Sequence, residues 1–185
     1  SKSLAYQGII KYLAHNVSKR LFFEQNTTID SENKRDLPWR HDNDPYRVWL
    51  SEIILQQTRV AYGESYFNTF TTTFPNVHLL AAASEEKVLK LWQGLGYYSR
   101  ARNLHKTAIL VANSMDGIFP TTYKDLLALP GVGPYTAAAI SSICYHQPHA
   151  VVDGNVYRVL SRFFGIKTPI DQHHSNNHFY ILAND

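Results

Sequence analysis

The chain has 185 residues, 44% of them hydrophobic, with 18 lysines and arginines against 15 acidic residues. That is ample apolar material for one domain or two small ones, and the net charge of +3 permits a polyanionic partner without demanding one. A single cysteine, Cys144, excludes an internal disulfide and points to an intracellular setting; no apolar run approaches the roughly 20 residues of a bilayer span, and the start, SKSLAYQGIIKYL, lacks a signal-peptide layout.

Helical periodicity runs through nearly every segment and strand-length alternation is almost missing, so the predicted class is all-α. In chain order, helices are expected at 4–23, 45–62, 63–74, 76–83, 85–94, 100–115, 123–129, 135–145, 156–164 and 176–184. Ser84 precedes EEKVLKLW as an N-cap, with acidic residues in the first turn, and Gly94 stops that helix. The polar stretch 24–36 has no apolar period and reads as a loop.

Two blocks carry chemistry. In PWRHDNDPYRVWLSEIILQQTRV, Glu52 sits among Val48, Trp49 and Leu55 at offsets of three and four, on an apolar stripe. Burial there disfavours the charged form, which suits a general acid; a structural reading instead pairs Glu52 with Arg59 at the stripe's edge. Gln56 and Gln57 read either as surface amides or as probes of base edges. The second block, LPGVGPYTAA, joins two apolar helices through a Gly131-Val132-Gly133 turn; the glycines permit a tight turn and close approach of a ligand, and the turn opens onto a helix N-terminus, which attracts phosphate. Pro130 ends the first helix, and Pro134 suits the first turn of the second. Downstream, Asp153 in VVDGNVYRV is either a helix cap or an ionised carboxylate placed to stabilise a cationic sugar. Two carboxylates in unlike environments are the equipment for cleaving a bond at an anomeric carbon.

SEIILQQTRV, LWQGLGYYSRARNLHK, LPGVGPYTAAAI and VVDGNVYRVLSR together resemble the adenine DNA glycosylases of the MutY type, in the helix-hairpin-helix superfamily, over about 38–164. The resemblance implies that Glu52 protonates adenine, Asp153 stabilises the oxocarbenium-like sugar, Asn155 orients the aspartate, and Tyr135 stands beside the reacting sugar. Relatives that also cut the strand carry a lysine in place of Tyr135, so base removal without strong strand cleavage is implied. Gln57 and Tyr97 match residues that wedge into the duplex, with one of Tyr97 and Tyr98 expected in the core. Trp39, Arg40, Leu55 and Val60 match adenine-pocket positions. The carbonyls of Leu127, Leu129 and Val132 match those that hold a monovalent cation. Gln56, Gly131, Val132, Gly133 and Arg100 are expected at the DNA; for Arg100, Arg102, His105 and Lys106 a solvated helix face is an equal alternative.

The implied substrate is duplex DNA with adenine opposite 8-oxoguanine or guanine, engaged by a monomer in a nucleoid, nucleus or mitochondrion, and no membrane is involved. The implied layout is a lobe at 39–149 carrying the hairpin at 123–145, and a second lobe from 1–38 with 150–185. Family members also hold a four-iron four-sulfur cluster on four cysteines and an 8-oxoguanine-reading domain, both beyond the last residue here, so the chain is expected to be an N-terminal piece that lacks the cluster's ligands. Cys144 reads as packing, and His173, His174 and His178 as solvated. The alternatives are a glycosylase removing thymine opposite guanine and a non-catalytic helix-hairpin-helix module; Glu52 with Gln56 and Gln57 argues for adenine.

Overall fold

The computed structural model describes residues 37–40 and 43–149, with positions 154, 157, 158, 161, 162 and 179; of Arg40 only the backbone is described. The helix expected at 4–23 and the loop at 24–36 lie outside these residues. Of the helices expected at 156–164 and 176–184, only 157, 158, 161, 162 and 179 are described, and all five are helical.

After a 3-10 turn at Pro38–Arg40 come α1 (Pro45–Leu55), α2 (Val60–Thr73), α3 (Val77–Ala81), α4 (Glu85–Leu91), α5 (Tyr98–Ser114), α6 (Tyr123–Leu127) and α7 (Pro134–Tyr145). The fold is all-α, with no strand among the described residues. Polar caps set several starts. Asp44 accepts from Tyr46 N at 3.0 Å, Asn76 from Leu79 N at 3.0 Å, Ser84 from Lys87 N at 3.2 Å and Thr122 from Asp125 N at 3.1 Å. Each satisfies an N–H that the first helical turn leaves without a partner.

α1 is the central element and packs against α2 and α7, while α5 carries α3 and α4 on its other sides and α6 pairs with α7. Nine of the 11 residues of α1 are buried, including Glu52 and Ser51. The expected one-sided stripe is therefore a helix enclosed nearly all round, the pattern of a helix at the middle of a core. Aromatic rings fill the space around it: Trp39 meets Phe67 edge-on at 5.2 Å, Trp49 lies 5.2 Å from Phe119, and Phe70 meets Trp92 at 5.8 Å. Tyr46 donates to the Phe74 carbonyl at 2.6 Å and ties α1 to the end of α2.

One boundary differs from expectation. The break expected at Gly63 falls instead between Leu55 and Val60, where Gln57 turns the chain with φ +55°. Gly63 lies inside α2 because the helices cross there: a Cβ on it would stand 2.6 Å from Leu55 Cδ2. Its glycine serves close packing, not chain termination. The consequence for function is that Gln56 and Gln57 form a loop at the end of α1 and do not lie on a helix face.

Candidate active site

The C-terminal half of α1 delivers Glu52 to the wall of a cavity of about 590 Å³. Glu52 is 1% exposed and contributes to the cavity lining, with almost no access to bulk water. Leu55 and the loop residues Gln56 and Gln57 continue the same wall, Tyr97, Ser99 and Arg100 form a second, and Gly133, Pro134, Tyr135 and Thr136 from the start of α7 form a third. Gln56 Nε2 reaches Thr136 Oγ1 at 3.4 Å and spans two of these walls. Three segments separated in sequence thus converge on one buried carboxyl group. A cavity of this size suits a single small ligand, and most of its lining side chains carry polar groups that could orient one.

The hairpin is built for close approach on one side and packing on the other. Gly131 takes φ +75°, and a Cβ there would stand 2.7 Å from the Cβ of Asn103 on α5. Gly133 is the N-cap of α7 with φ −90°, and a Cβ on it would meet nothing within 4 Å. The first glycine is therefore required by conformation and contact, and the second leaves an open face at a helix N-terminus. Pro134 occupies the first turn of α7, as expected. Thr107 on α5 donates to the Pro130 carbonyl at 2.8 Å, and Val132 N donates to the Leu129 carbonyl at 3.1 Å, so the turn is fixed from behind and within.

Tyr97 is 67% exposed and Tyr98 is also exposed, so neither is core. Tyr97 holds φ +46° and Gln57 φ +55°, left-handed values that cost a non-glycine residue on the order of 1–2 kcal/mol each. Both side chains project from strained loops at the rim of the cavity. Strain of this kind collects at functional sites, where surrounding contacts hold it in place.

The basic group on α5 divides. Arg100, expected as a phosphate contact or a solvated residue, turns its guanidinium inward: Nη1 donates to the carbonyls of Ile53 at 3.1 Å and Gln56 at 2.5 Å, and Nη2 to that of Leu95 at 3.2 Å. Burial lowers its pKa from the usual arginine value. His105 is buried, Arg102 pairs with Glu85 at 3.6 Å, and Lys106 is exposed. At near 100° per residue these four positions do not share one helix face, which is why the sequence run does not form a single patch.

Leu55 lines the cavity, but Trp39 and Val60 do not. Trp39 is 1% exposed and packs in the core, and Val60 opens α2 against that core. The side chain of Arg40, together with Asp153, Asn155, His173, His174 and His178, lies outside the described residues. Sequence reasoning missed Ser99 and Thr136 in the lining and the carbonyl-capping role of Arg100. No local pattern signals these, because each depends on which segments meet.

The four-thiolate cluster does not fit the residues of this chain: Cys144 is its sole cysteine, and it sits half-buried on α7 against the core. Among the described residues no group of three or more potential ligands gathers to hold a metal ion, and no helix is long and apolar enough to cross a membrane.

Residues 50–182 match the model of the HhH-GPD superfamily of base excision DNA repair proteins. The chain is 48% identical over 140 residues to the adenine DNA glycosylase of Homo sapiens, covering 71% of this chain and 26% of that protein. It is 44% identical over 161 residues to the Mus musculus protein of the same name, covering 82% and 31%. With that of Buchnera aphidicola subsp. Baizongia pistaciae it shares 43% over 133 residues, covering 72% and 38%. The chain thus spans well under half the length of these relatives. Among solved structures it resembles a thermostable thymine-DNA glycosylase, with TM-score 0.73, 26% identity, and coverage of 99% of this chain and 78% of that one. The fold also matches an endonuclease III trapped on DNA, with TM-score 0.70 at 21% identity, covering 95% and 75%. Both the sequence match, which spans most of the chain, and the helical architecture place it in one family: the chain belongs to the HhH-GPD superfamily of base excision DNA repair proteins.

Proposed function

We propose that this chain carries the catalytic core of an adenine DNA glycosylase that removes adenine opposite 8-oxoguanine or guanine. The observation that carries the reading is Glu52: an acidic residue 1% exposed in the lining of a cavity of about 590 Å³, whose walls include the hairpin. A non-catalytic hairpin module has no use for such a group, and the adenine-specific relatives at 43–48% identity favour adenine over thymine.

In this reading the duplex lies across the N-terminus of α7, where Gly131, Val132 and Gly133 take a phosphate, Gln56 meets a base edge, and Gln57 and Tyr97 enter the stack beside the target. The carbonyls of Leu127, Leu129 and Val132 border the same turn and supply neutral oxygen ligands for a monovalent cation bridging to that phosphate. Adenine swings out, at a cost of a few kcal/mol that a mispair reduces. Leu55 lines the space that takes the base. Glu52 gives its proton to a ring nitrogen, the bond from the sugar's anomeric carbon to the base breaks, and its electron pair leaves with adenine. Asp153, held by Asn155, stays ionised against the sugar cation beside Tyr135. Water then adds to the anomeric carbon, its displaced proton restores the acid, and an abasic site remains. Tyr135 has no amine to form a Schiff base with the sugar, so the strand survives until alkali cuts it. The lobe at 39–149 supplies Glu52 and the hairpin, and 1–38 with 150–185 forms the second lobe bearing Asp153.

The test measures free adenine released from duplexes carrying A opposite 8-oxoguanine, A opposite G and T opposite G, before and after alkali. Glu52→Gln and Asp153→Asn are each expected to abolish release while leaving duplex affinity within a few-fold. Unchanged release by either variant, or release of thymine in place of adenine, would overturn the assignment.

A further inference from the structure

We infer that Arg100 is a positioning residue, clamping the loop that carries Gln57 to the loop that carries Tyr97 so that the two side chains enter a duplex as one preset wedge. The inference rests on the reading just given, in which both side chains insert beside the target.

The two loops come from distant parts of the chain and share no helix. Arg100 joins them through a single planar group. Nη1 serves the end of α1, through the carbonyls of Ile53 at 3.1 Å, Gln56 at 2.5 Å and, more weakly, Ile54 at 3.4 Å. Nη2 serves the loop after α4, through Leu95 at 3.2 Å and Gly96 at 3.5 Å. The same guanidinium lies over the buried ring of Trp92 at 5.2 Å and 5.7 Å from the ring of Tyr97. Trp92 in turn donates its indole N–H to the Gly96 carbonyl at 2.9 Å, so the Tyr97 loop is held from two directions.

Three features make this a device for the loops and not a routine cap. Gln57 and Tyr97 both take left-handed backbone angles that disfavour a residue with a side chain, so contacts around each loop must offset that cost. Each lies one residue beyond a carbonyl that Arg100 holds, that of Gln56 and that of Gly96. Both side chains are exposed, whereas the guanidinium between them faces carbonyls. A lysine cannot substitute, because one ammonium centre lacks the planar fork that reaches two separated sets of oxygens at once.

The experiment has a protein-only arm and a duplex arm, using the intact protein with Arg100→Lys and, as a second variant, Arg100→Gln. Hydrogen exchange of the free protein should show amides 56–58 and 95–97 exchanging at least tenfold faster together, while those of α7 and the second half of α5 keep their rates. In a duplex with 2-aminopurine next to adenine opposite 8-oxoguanine, the fluorescence rise on binding should fall toward that of Tyr97→Ala. The double variant should be no lower than Tyr97→Ala alone, since residues acting through one element are not additive. Unchanged exchange, loosening of one loop without the other, or fully additive losses of fluorescence would each overturn the clamp. If the wild-type protein leaves the 2-aminopurine stacked, the duplex reading fails and the wedge with it; the exchange data, which involve no DNA, separate that result from failure of the clamp itself.

Discussion

The two glycines of the hairpin make opposite demands, and substituting each by alanine separates them. At Gly131 the left-handed φ of +75° costs an alanine about 1–2 kcal/mol. The new methyl would also stand 2.7 Å from Asn103 Cβ, an atom fixed to the backbone of α5, so relief requires the hairpin and α5 to move apart. Overpacking of this kind costs about 1–3 kcal/mol, offset by less than about 1 kcal/mol of reduced unfolded-state freedom. The expected net loss is about 2–4 kcal/mol, or roughly 6–12 °C in thermal midpoint for a chain of this size. Asn103→Ala should not rescue it, because alanine keeps the clashing atom. At Gly133, with φ −90° and nothing within 4 Å of a Cβ, alanine should leave stability within about 1 kcal/mol: the entropic gain roughly offsets its poorer capping. It should weaken duplex binding, since the methyl then occupies the face proposed for phosphate. Urea unfolding and a binding titration of both variants decide the matter. A Gly131→Ala protein as stable as wild type would refute the packing argument, and a Gly133→Ala protein with unchanged affinity would refute the phosphate site.

Asp44→Ala removes the 3.0 Å cap on α1 and should cost about 1 kcal/mol in urea unfolding, with Asp44→Asn restoring most of it. Alkaline pH should also loosen the fold. Burial holds Tyr46 above the ordinary tyrosine range and pushes Tyr145 up to about 12, so the unfolded chain loses these protons first. Stability contributed by the protonated phenols is fully present below pH 10 and is lost as pH rises toward 12. Tyr46→Phe, which gives up the 2.6 Å bond to the Phe74 carbonyl, should lower stability at pH 7 and flatten the loss above pH 10. A variant with the wild-type alkaline slope would show that Tyr46 is not the responsible group.

Local chemistry was legible in the chain itself. The helical class, the cap at Ser84, Pro134 in the first turn of α7, and the glycine turn at Gly131 follow from side-chain type and spacing, because capping and backbone freedom act within a few residues. The match of residues 50–182 to the HhH-GPD superfamily likewise bears out the resemblance seen in four motifs. What the sequence could not decide was which faces meet. Val48, Trp49 and Leu55 suggested a stripe, but only packing on several sides encloses α1 and brings the exposure of Glu52 to 1%. Gly63 looked like a helix stop until its contact with Leu55 made it a crossing point, and Arg100 looked like a surface cation until five carbonyls, from the end of α1 and the loops after α1 and α4, surrounded it. Periodicity is a property of one segment, whereas burial, close approach and carbonyl capping are relations between segments, and those exist only once the chain has folded.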